Sequence, residues 1–327
     1  MDKTDIGKSG VKISSIGLGG GNWGREVDEN TSFELMDYAF ENGITLFDTG
    51  DLYGGGQSFA SRKEVFGTED QRETTLEMYS SEKIIGRWLK SRGCRDQVTL
   101  CTKVGSGGTP ENIKKSLERS LNHFDTDYVD IYKLHRPYDD VPLDETIGAM
   151  AEEVYSRRTR VIGAANHSVL QVIEALKISD QFDLPGFQVL QLPYSIVLTD
   201  IENDLLPLCR KEKLAVTAYS PLAAGFLSGK YVRDPDKWPK GSRYHIMPSH
   251  ADQYFSDRNF RILDLLKELE VKIGVPGVQL AIAWALANQD VTSILIGARN
   301  KKQIDNAVNA FESGISANLR DEMSNWV

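Results

Sequence analysis

Cysteine is scarce in this sequence: Cys94, Cys101 and Cys209 are the only thiols in 327 residues, an odd number with no CxxC spacing. That suggests neither a disulfide framework nor a structural zinc site, and points to buried or half-buried free thiols. Metal is not implied elsewhere, since there is no HExxH and no paired His/Cys spacing. No apolar run approaches the ~18 residues of a membrane span, and the charged start Met1-Asp2-Lys3-Thr4-Asp5 has no apolar core for a signal peptide. The expectation is a cytoplasmic protein with no membrane partner. Basic charge is also in short supply. Against 47 Asp+Glu stand 38 Lys+Arg, a balance of −9, which is the wrong sign for a nucleic-acid surface. No linker rich in Pro, Gly or Ser, no low-complexity tract and no close repeat divides the chain.

What is present is 40% hydrophobic and 26% charged, ordinary for a packed domain. The length suits about two domains or one large α/β barrel. Short β-branched runs alternate with amphipathic stretches to the end of the chain, as in repeated βα units. Strands are expected near Ile16–Leu18, Thr45–Phe47, Val98–Thr102, Tyr128–Leu134, Val161–Ala164, Phe187–Leu190, Ala215–Ala218 and Thr292–Ile296. Eight principal helices lie among them: Asn30–Glu41, Glu82–Ser91, Glu111–Asn122, Leu143–Tyr155, Val169–Lys177, Glu202–Lys211, Asp257–Ile273 and Lys301–Ala310, with an extra apolar helix around Val278–Asn288. An open doubly wound sheet would announce itself by GxGxxG opening its first helix, but Gly17-Leu18-Gly19-Gly20-Gly21-Asn22 is not followed at once by one. The expected fold is therefore an α/β (β/α)8 TIM barrel, a single domain over 1–327 with long active-site loops.

In such a barrel the site lies at the carboxyl ends of the strands. The residues ending each run are Asp48, Lys103, His135, Asn166, Gln191, Tyr219 with Ser220, and Gly297. Two acidic strand ends for a barrel glycosidase are missing, because strand four ends in His135 and strand seven in Tyr219.

Asp48 with Tyr53 in Leu46-Phe47-Asp48-Thr49-Gly50-Asp51-Leu52-Tyr53-Gly54, together with Thr102-Lys103-Val104 and Leu134-His135-Arg136-Pro137, resembles the aldo-keto reductase family. Further pieces agree in order: Arg160–Asn166, Gln191-Leu192-Pro193-Tyr194-Ser195, Tyr219-Ser220-Pro221-Leu222 leading to Gly225 and Gly229-Lys230, and Ile296-Gly297-Ala298-Arg299. The likeness covers nearly the whole chain and points to the bacterial reductase and potassium-channel β-subunit-like branch. It implies a tetrad of Asp48, Tyr53, Lys103 and His135 that interconverts a small polar carbonyl compound and its alcohol. A tyrosine with a pKa near 10 is a poor acid at neutral pH unless charge shifts it. Lys103, held by Asp48, can supply that field, and His135 can donate to the carbonyl oxygen. A non-catalytic or weakly catalytic NADP(H)-sensing subunit that binds another protein is the alternative.

The resemblance also implies a nicotinamide dinucleotide, an anion that local cations must hold against the overall charge. Lys230, Arg243 and Arg299 occupy the family's phosphate positions, and the planar fork of Arg299 suits a 2′-phosphate, favouring NADP(H) over NAD(H). Asn166 and Gln191 would bond the carboxamide and Tyr219 would stack on the ring. Gly20, Gly21, Asn22, Asp48, Ser220, Pro221, Leu222, Gly225, Gly297, Gln303 and Asn306 complete the expected cofactor contacts. There are departures from the pattern. Ala165 replaces a serine, Asn306 and Ala307 replace Glu-Asn near the adenine, and Arg136 replaces a tryptophan. Arg136 either makes the substrate mouth polar or pairs with Asp139 or Asp140. The stretch Gly54–Tyr79 is an insertion relative to the family, read as a specificity lid or as a surface excursion or oligomer contact. The loop 221–256 is expected to cover the cofactor.

Overall fold

All eight expected strands form, and in the computed structural model, which describes residues 1–7, 9–56 and 73–326, they close into a parallel barrel. A short antiparallel hairpin precedes them, β1 (Lys3–Asp5) with β2 (Lys12–Ser14). The barrel runs β3 (Ile16–Gly19), β4 (Leu46–Asp48), β5 (Thr99–Val104), β6 (Val129–Leu134), β7 (Thr159–Ala165), β8 (Phe187–Pro193), β9 (Ala215–Tyr219) and β10 (Ser293–Ile296), with β10 paired back to β3. Around it lie α1 (Glu29–Glu41), α2 (Ser80–Arg92), α3 (Pro110–Phe124), α4 (Leu143–Tyr155), α5 (Val169–Phe182) and α6 (Leu205–Glu212). They are followed by α7 (Arg243–Ile246), α8 (Asp257–Ile273), α9 (Gly277–Leu286), α10 (Lys301–Ser313) and α11 (Ala317–Ser324). Helix starts are chemically marked. Thr109 caps α3 ahead of Pro110, and Ser168 and Gln171 form a reciprocal capping box on α5.

Strand periodicity divides the barrel interior into an apolar floor and a polar ceiling. Side chains alternate faces along a strand, so on β5 Leu100 and Val104 face the helices while Cys101 and Lys103 face inward. The floor gathers Leu46, Cys101, Ile131, Val161, Val189, Ala215 and Leu295 with Ile6, Val11 and Ile13 of the hairpin segment. Two residues further along the same inward rows come Asp48, Lys103, Lys133, Gln191 and Thr217, all buried. The N-terminal hairpin was not anticipated, because its two strands are three residues long. It plugs the amino end of the barrel. Thr99, the first residue of β5, donates to the Lys12 carbonyl at 2.6 Å, and the Ser14 hydroxyl accepts from the Thr45 and Leu46 amides at 3.0 and 3.2 Å.

The long loop after β9 is held down by aromatic rings. Tyr231 and Tyr244 meet at 4.6 Å between centroids, Phe226 and Phe255 at 5.1 Å, and the Tyr244 hydroxyl donates to the Ala223 carbonyl at 2.6 Å. Of the insertion 54–79, residues 57–72 lie outside the described residues. Its returning end pairs beside the β3–α1 loop, the Thr74 and Thr75 amides donating to the Arg25 and Gly24 carbonyls at 3.2 Å each. Among the described residues no single helix is long and apolar enough to cross a membrane, and the three cysteines are free and buried.

Gly86, inside α2, lets that helix approach α3. A Cβ there would sit 2.1 Å from the His123 carbonyl oxygen. Helix propensity favours Gly→Ala by about 1 kcal/mol, but overpacking against rigid backbone costs about 1–3 kcal/mol or more. Gly86→Ala is expected to lower the urea midpoint with an unchanged m-value; a rise would mean that propensity wins and the approach is loose.

Candidate active site

The residues that could do chemistry stand at the upper rim of the polar ceiling. β4 delivers Asp48, β5 Lys103 and the end of β6 His135, while Tyr53 comes from the loop after β4. That loop is fixed by a residue the sequence reading passed over. Asp51, fully buried, accepts from the Gly105 amide at 2.8 Å and from the Ser106 and Ser116 hydroxyls at 3.0 and 2.7 Å, and pairs with Arg119 at 3.3 Å. The Tyr53 amide donates to the Gly50 carbonyl at 3.0 Å and so completes the turn.

Tyr53 Oη lies 3.3 Å from His135 Nε2, and the two rings meet edge to face, 5.3 Å between centroids. Lys103 Nζ donates to Asp48 Oδ1 and to the Thr49 carbonyl, both at 2.5 Å, and stands 4.8 Å from the Tyr53 ring centroid. A second lysine, not foreseen, shares the carboxylate: Lys133 Nζ is 3.3 Å from Asp48 Oδ2, 3.0 Å from Gln191 Oε1 and 3.2 Å from Thr217 Oγ1.

These neighbours set the charge states. Burial pushes the Asp48 carboxyl up, but the Lys103 and Lys133 charges outweigh it and hold the pKa at about 2. His135 is pulled down to about 4, first by burial and then by the Lys103 charge, so its imidazole is neutral near pH 7. Tyr53 departs from expectation. Lys103 does pull its pKa down, but burial pulls harder the other way and the phenol is left above its usual range. The field predicted from sequence is present; alone it does not make Tyr53 a stronger acid.

The tetrad residues line a cavity of about 300 Å³. It continues through Asn22, Ser220, Leu295, Ile296 and Gly297 into a second cavity of about 370 Å³. The second holds most of the expected cofactor residues: Pro221, Leu222, Gly225, Lys230, Arg243, Arg299, Gln303 and Asn306. Gly21, Asn166, Gln191 and Tyr219 line the first. Gly20 does not line the groove. Its amide donates to the Asp48 carbonyl at 2.8 Å, its carbonyl accepts from Ser81, and a Cβ there would meet the Trp23 ring at 2.7 Å. Glycine there serves packing. Asn166 is already engaged, donating to the His135 carbonyl at 3.0 Å and accepting from the Tyr219 hydroxyl at 2.8 Å. Asn306 accepts from Gln279 at 3.2 Å. Arg136 rests its guanidinium 5.6 Å from the Tyr138 ring centroid, and neither Asp139 nor Asp140 forms an ion pair with it.

The profile of the Aldo/keto reductase family matches residues 15–323. The chain belongs to this family. It is similar over 98% of its length, at 29% identity, to YrpG of Bacillus subtilis, described as an uncharacterized oxidoreductase, 94% of which is covered. To the aldo-keto reductase YhdN of the same organism it is 30% identical, over 93% of this chain and 87% of that one. A probable voltage-gated potassium channel subunit beta of Arabidopsis thaliana is 28% identical, over 95% and 92%. Aldo/keto reductases generally use nicotinamide cofactors, and the groove fits such an anion. Lys230, Arg243 and Arg299 line it, and Arg243 Nε is buried without a hydrogen-bond partner among the described residues. Gly225, at φ +97°, would aim a side chain toward Lys230. Glu26, missed from sequence, also lines it and pairs with Arg299 at 3.3 Å.

The depressed His135 pKa has a stability consequence. The unfolded imidazole titrates near 6.5 and the folded one near 4, so between these values the unfolded chain binds more protons. Stability is full above about pH 6.5 and falls as pH drops toward 4, on the order of 3 kcal/mol from this group. His135→Gln is expected to show a shallower loss than wild type in chemical denaturation across that window; parallel curves would refute the assignment.

Proposed function

We propose that this chain is an NADP(H)-linked oxidoreductase that interconverts an aldehyde, ketone or sugar carbonyl and the corresponding alcohol, with Tyr53 as proton donor. The observation that carries the reading is the meeting of Tyr53 Oη and His135 Nε2 above the buried Lys103–Asp48 pair, at the end of a groove bearing Lys230, Arg243 and Arg299. Bound nicotinamide would supply the hydride. The chain's own residues must then orient the carbonyl, exclude water and provide one proton. The neutral His135 can donate a hydrogen bond to the carbonyl oxygen without competing for the transferred proton. Tyr53 gives up its phenolic proton to the developing alkoxide, and the Lys103 ammonium stabilises the phenolate left behind. Asp48 keeps that ammonium in place.

Three cations around an otherwise acidic molecule support a dinucleotide, and Arg243 with Arg299 supports a phosphate-bearing ribose. Arg136, next in sequence to His135 and without a carboxylate partner among the described residues, supports a polar substrate.

Tyr53→Phe is expected to lower kcat with NADPH by roughly 10²–10⁴ while NADPH still quenches protein fluorescence with unchanged affinity. Retained turnover would remove Tyr53 from the role. Arg243→Ala and Arg299→Ala are expected to weaken NADPH more than NADH in the same titration. If the wild type binds NADPH but turns over no aldehyde, ketone or sugar, the cofactor-sensing subunit reading takes over, for which the likeness to a relative named as a probable channel β subunit is the footing.

A further inference from the structure

We infer that Lys133 is a positioning residue for the reaction: from beneath the cleft it locks the Gln191 amide in one orientation, so that the wall meeting the nicotinamide carboxamide is preset. This rests on the function proposed above and adds a residue outside the tetrad.

The placement follows from register. Lys133 lies two residues before His135 on β6 and is paired across the strands with Lys103 of β5, so both ammonium groups enter the barrel interior at one level. Lys133 is 0% exposed. The floor one step below it is apolar, with Ile131 on the same strand, so packing alone has no use for a charge here. A buried ammonium is costly unless its three N–H groups find acceptors. Lys133 has three: Asp48 Oδ2 at 3.3 Å, Gln191 Oε1 at 3.0 Å and Thr217 Oγ1 at 3.2 Å.

Donor and acceptor chemistry then dictates the glutamine. Lysine can only donate and an ionised carboxylate can only accept. The Gln191 oxygen must therefore face Lys133, and its nitrogen must face Asp48, where Nε2 to Oδ1 is 3.4 Å. A flipped amide would set Nε2 against the ammonium and Oε1 against the carboxylate, losing both bonds. What remains for the cavity that Gln191 lines is one Nε2–H and one lone pair of Oε1, with fixed directions. An amide ligand group needs that donor–acceptor pair. Without Lys133 the Gln191 side chain keeps, among the described residues, only the long bond to Asp48, and its amide loses the partner that fixes which end faces which way.

The test uses the whole chain and two ligands. On the proposed reading NADPH would extend to the tetrad end of the groove, whereas adenosine 2′,5′-bisphosphate carries the phosphorylated adenosine without the nicotinamide. Lys133→Met, and Lys133→Gln in case the apolar variant fails to fold, are expected to raise the Kd of NADPH about tenfold and to lower kcat. Affinity for the bisphosphate should stay at the wild-type value. In a Gln191→Leu background the Lys133 substitution should add no further loss, because the effect passes through the amide. Unchanged NADPH affinity, equal weakening of both ligands, or additive losses would each overturn the inference while leaving the proposed function intact. Failure of the wild-type chain to bind any nicotinamide dinucleotide would instead bring down the functional reading, and the inference with it.

Discussion

One buried carboxylate organises the upper half of this barrel. Asp48 is 3% exposed and holds two lysines, 1% and 0% exposed, one on each oxygen. Removing charges from water is tolerable only when each meets an opposite charge and its remaining hydrogen-bonding capacity is filled. The cluster meets that condition by recruiting the Thr49 carbonyl, Gln191 and Thr217, and so ties β4, β5, β6, β8 and β9 together at one level. The same demand brings Lys103 to 4.8 Å from the Tyr53 ring and orients the Gln191 amide. A single electrostatic constraint thus positions residues that are 143 apart in sequence.

The second constraint is the sign of charge around the groove. A chain of net −9 that is to hold a dinucleotide must concentrate cations locally, and Lys230, Arg243 and Arg299 line one cavity. Glu26 enters that cavity too and takes one nitrogen of the Arg299 fork. An arginine engaged by a carboxylate gives less to a phosphate than a bare one, so on the proposed reading a 2′-phosphate would share the Arg299 fork with Glu26. Arg243 has no such competitor among the described residues and keeps a buried Nε without a partner.

Much of this was legible beforehand, because its determinants are local. Strand positions followed from β-branched runs, and the alignment of Asp48, Lys103, His135, Gln191 and Tyr219 followed from the rule that strand ends share a face. What escaped depended on register or on distant partners. Lys133 looks like any lysine in a mixed run until β5 and β6 are paired. Asp51 is one of several acids near Tyr53 until α3 supplies Ser116 and Arg119. Glu26 is a surface acid until the loop after β3 meets the loop after β10. The hairpin of β1 and β2 is too short for periodicity to register. Gly20, expected among the cofactor contacts from the resemblance, sits behind Gly19 and Gly21, which line the groove, and Trp23 and Ser81 fill the space its missing Cβ leaves.

The raised pKa of Tyr53 fits the proposed chemistry once the acceptor is considered. A donor lowered toward neutrality would lose its proton to water between turnovers and stand as an anion next to an anionic cofactor. Burial prevents that by penalising the phenolate, while Lys103 limits the penalty. In the proposed reaction the base to be served would be an alkoxide, far more basic than phenolate, so even a weak phenol would transfer its proton downhill as the negative charge appears. A buried phenol, an ammonium locked by Asp48 and a neutral imidazole would together hold the proton on Tyr53 until it is needed. On this account the burial of Tyr53 and the charge of Lys103 are complementary: the first suppresses idle ionisation, and the second lowers the barrier when ionisation is required.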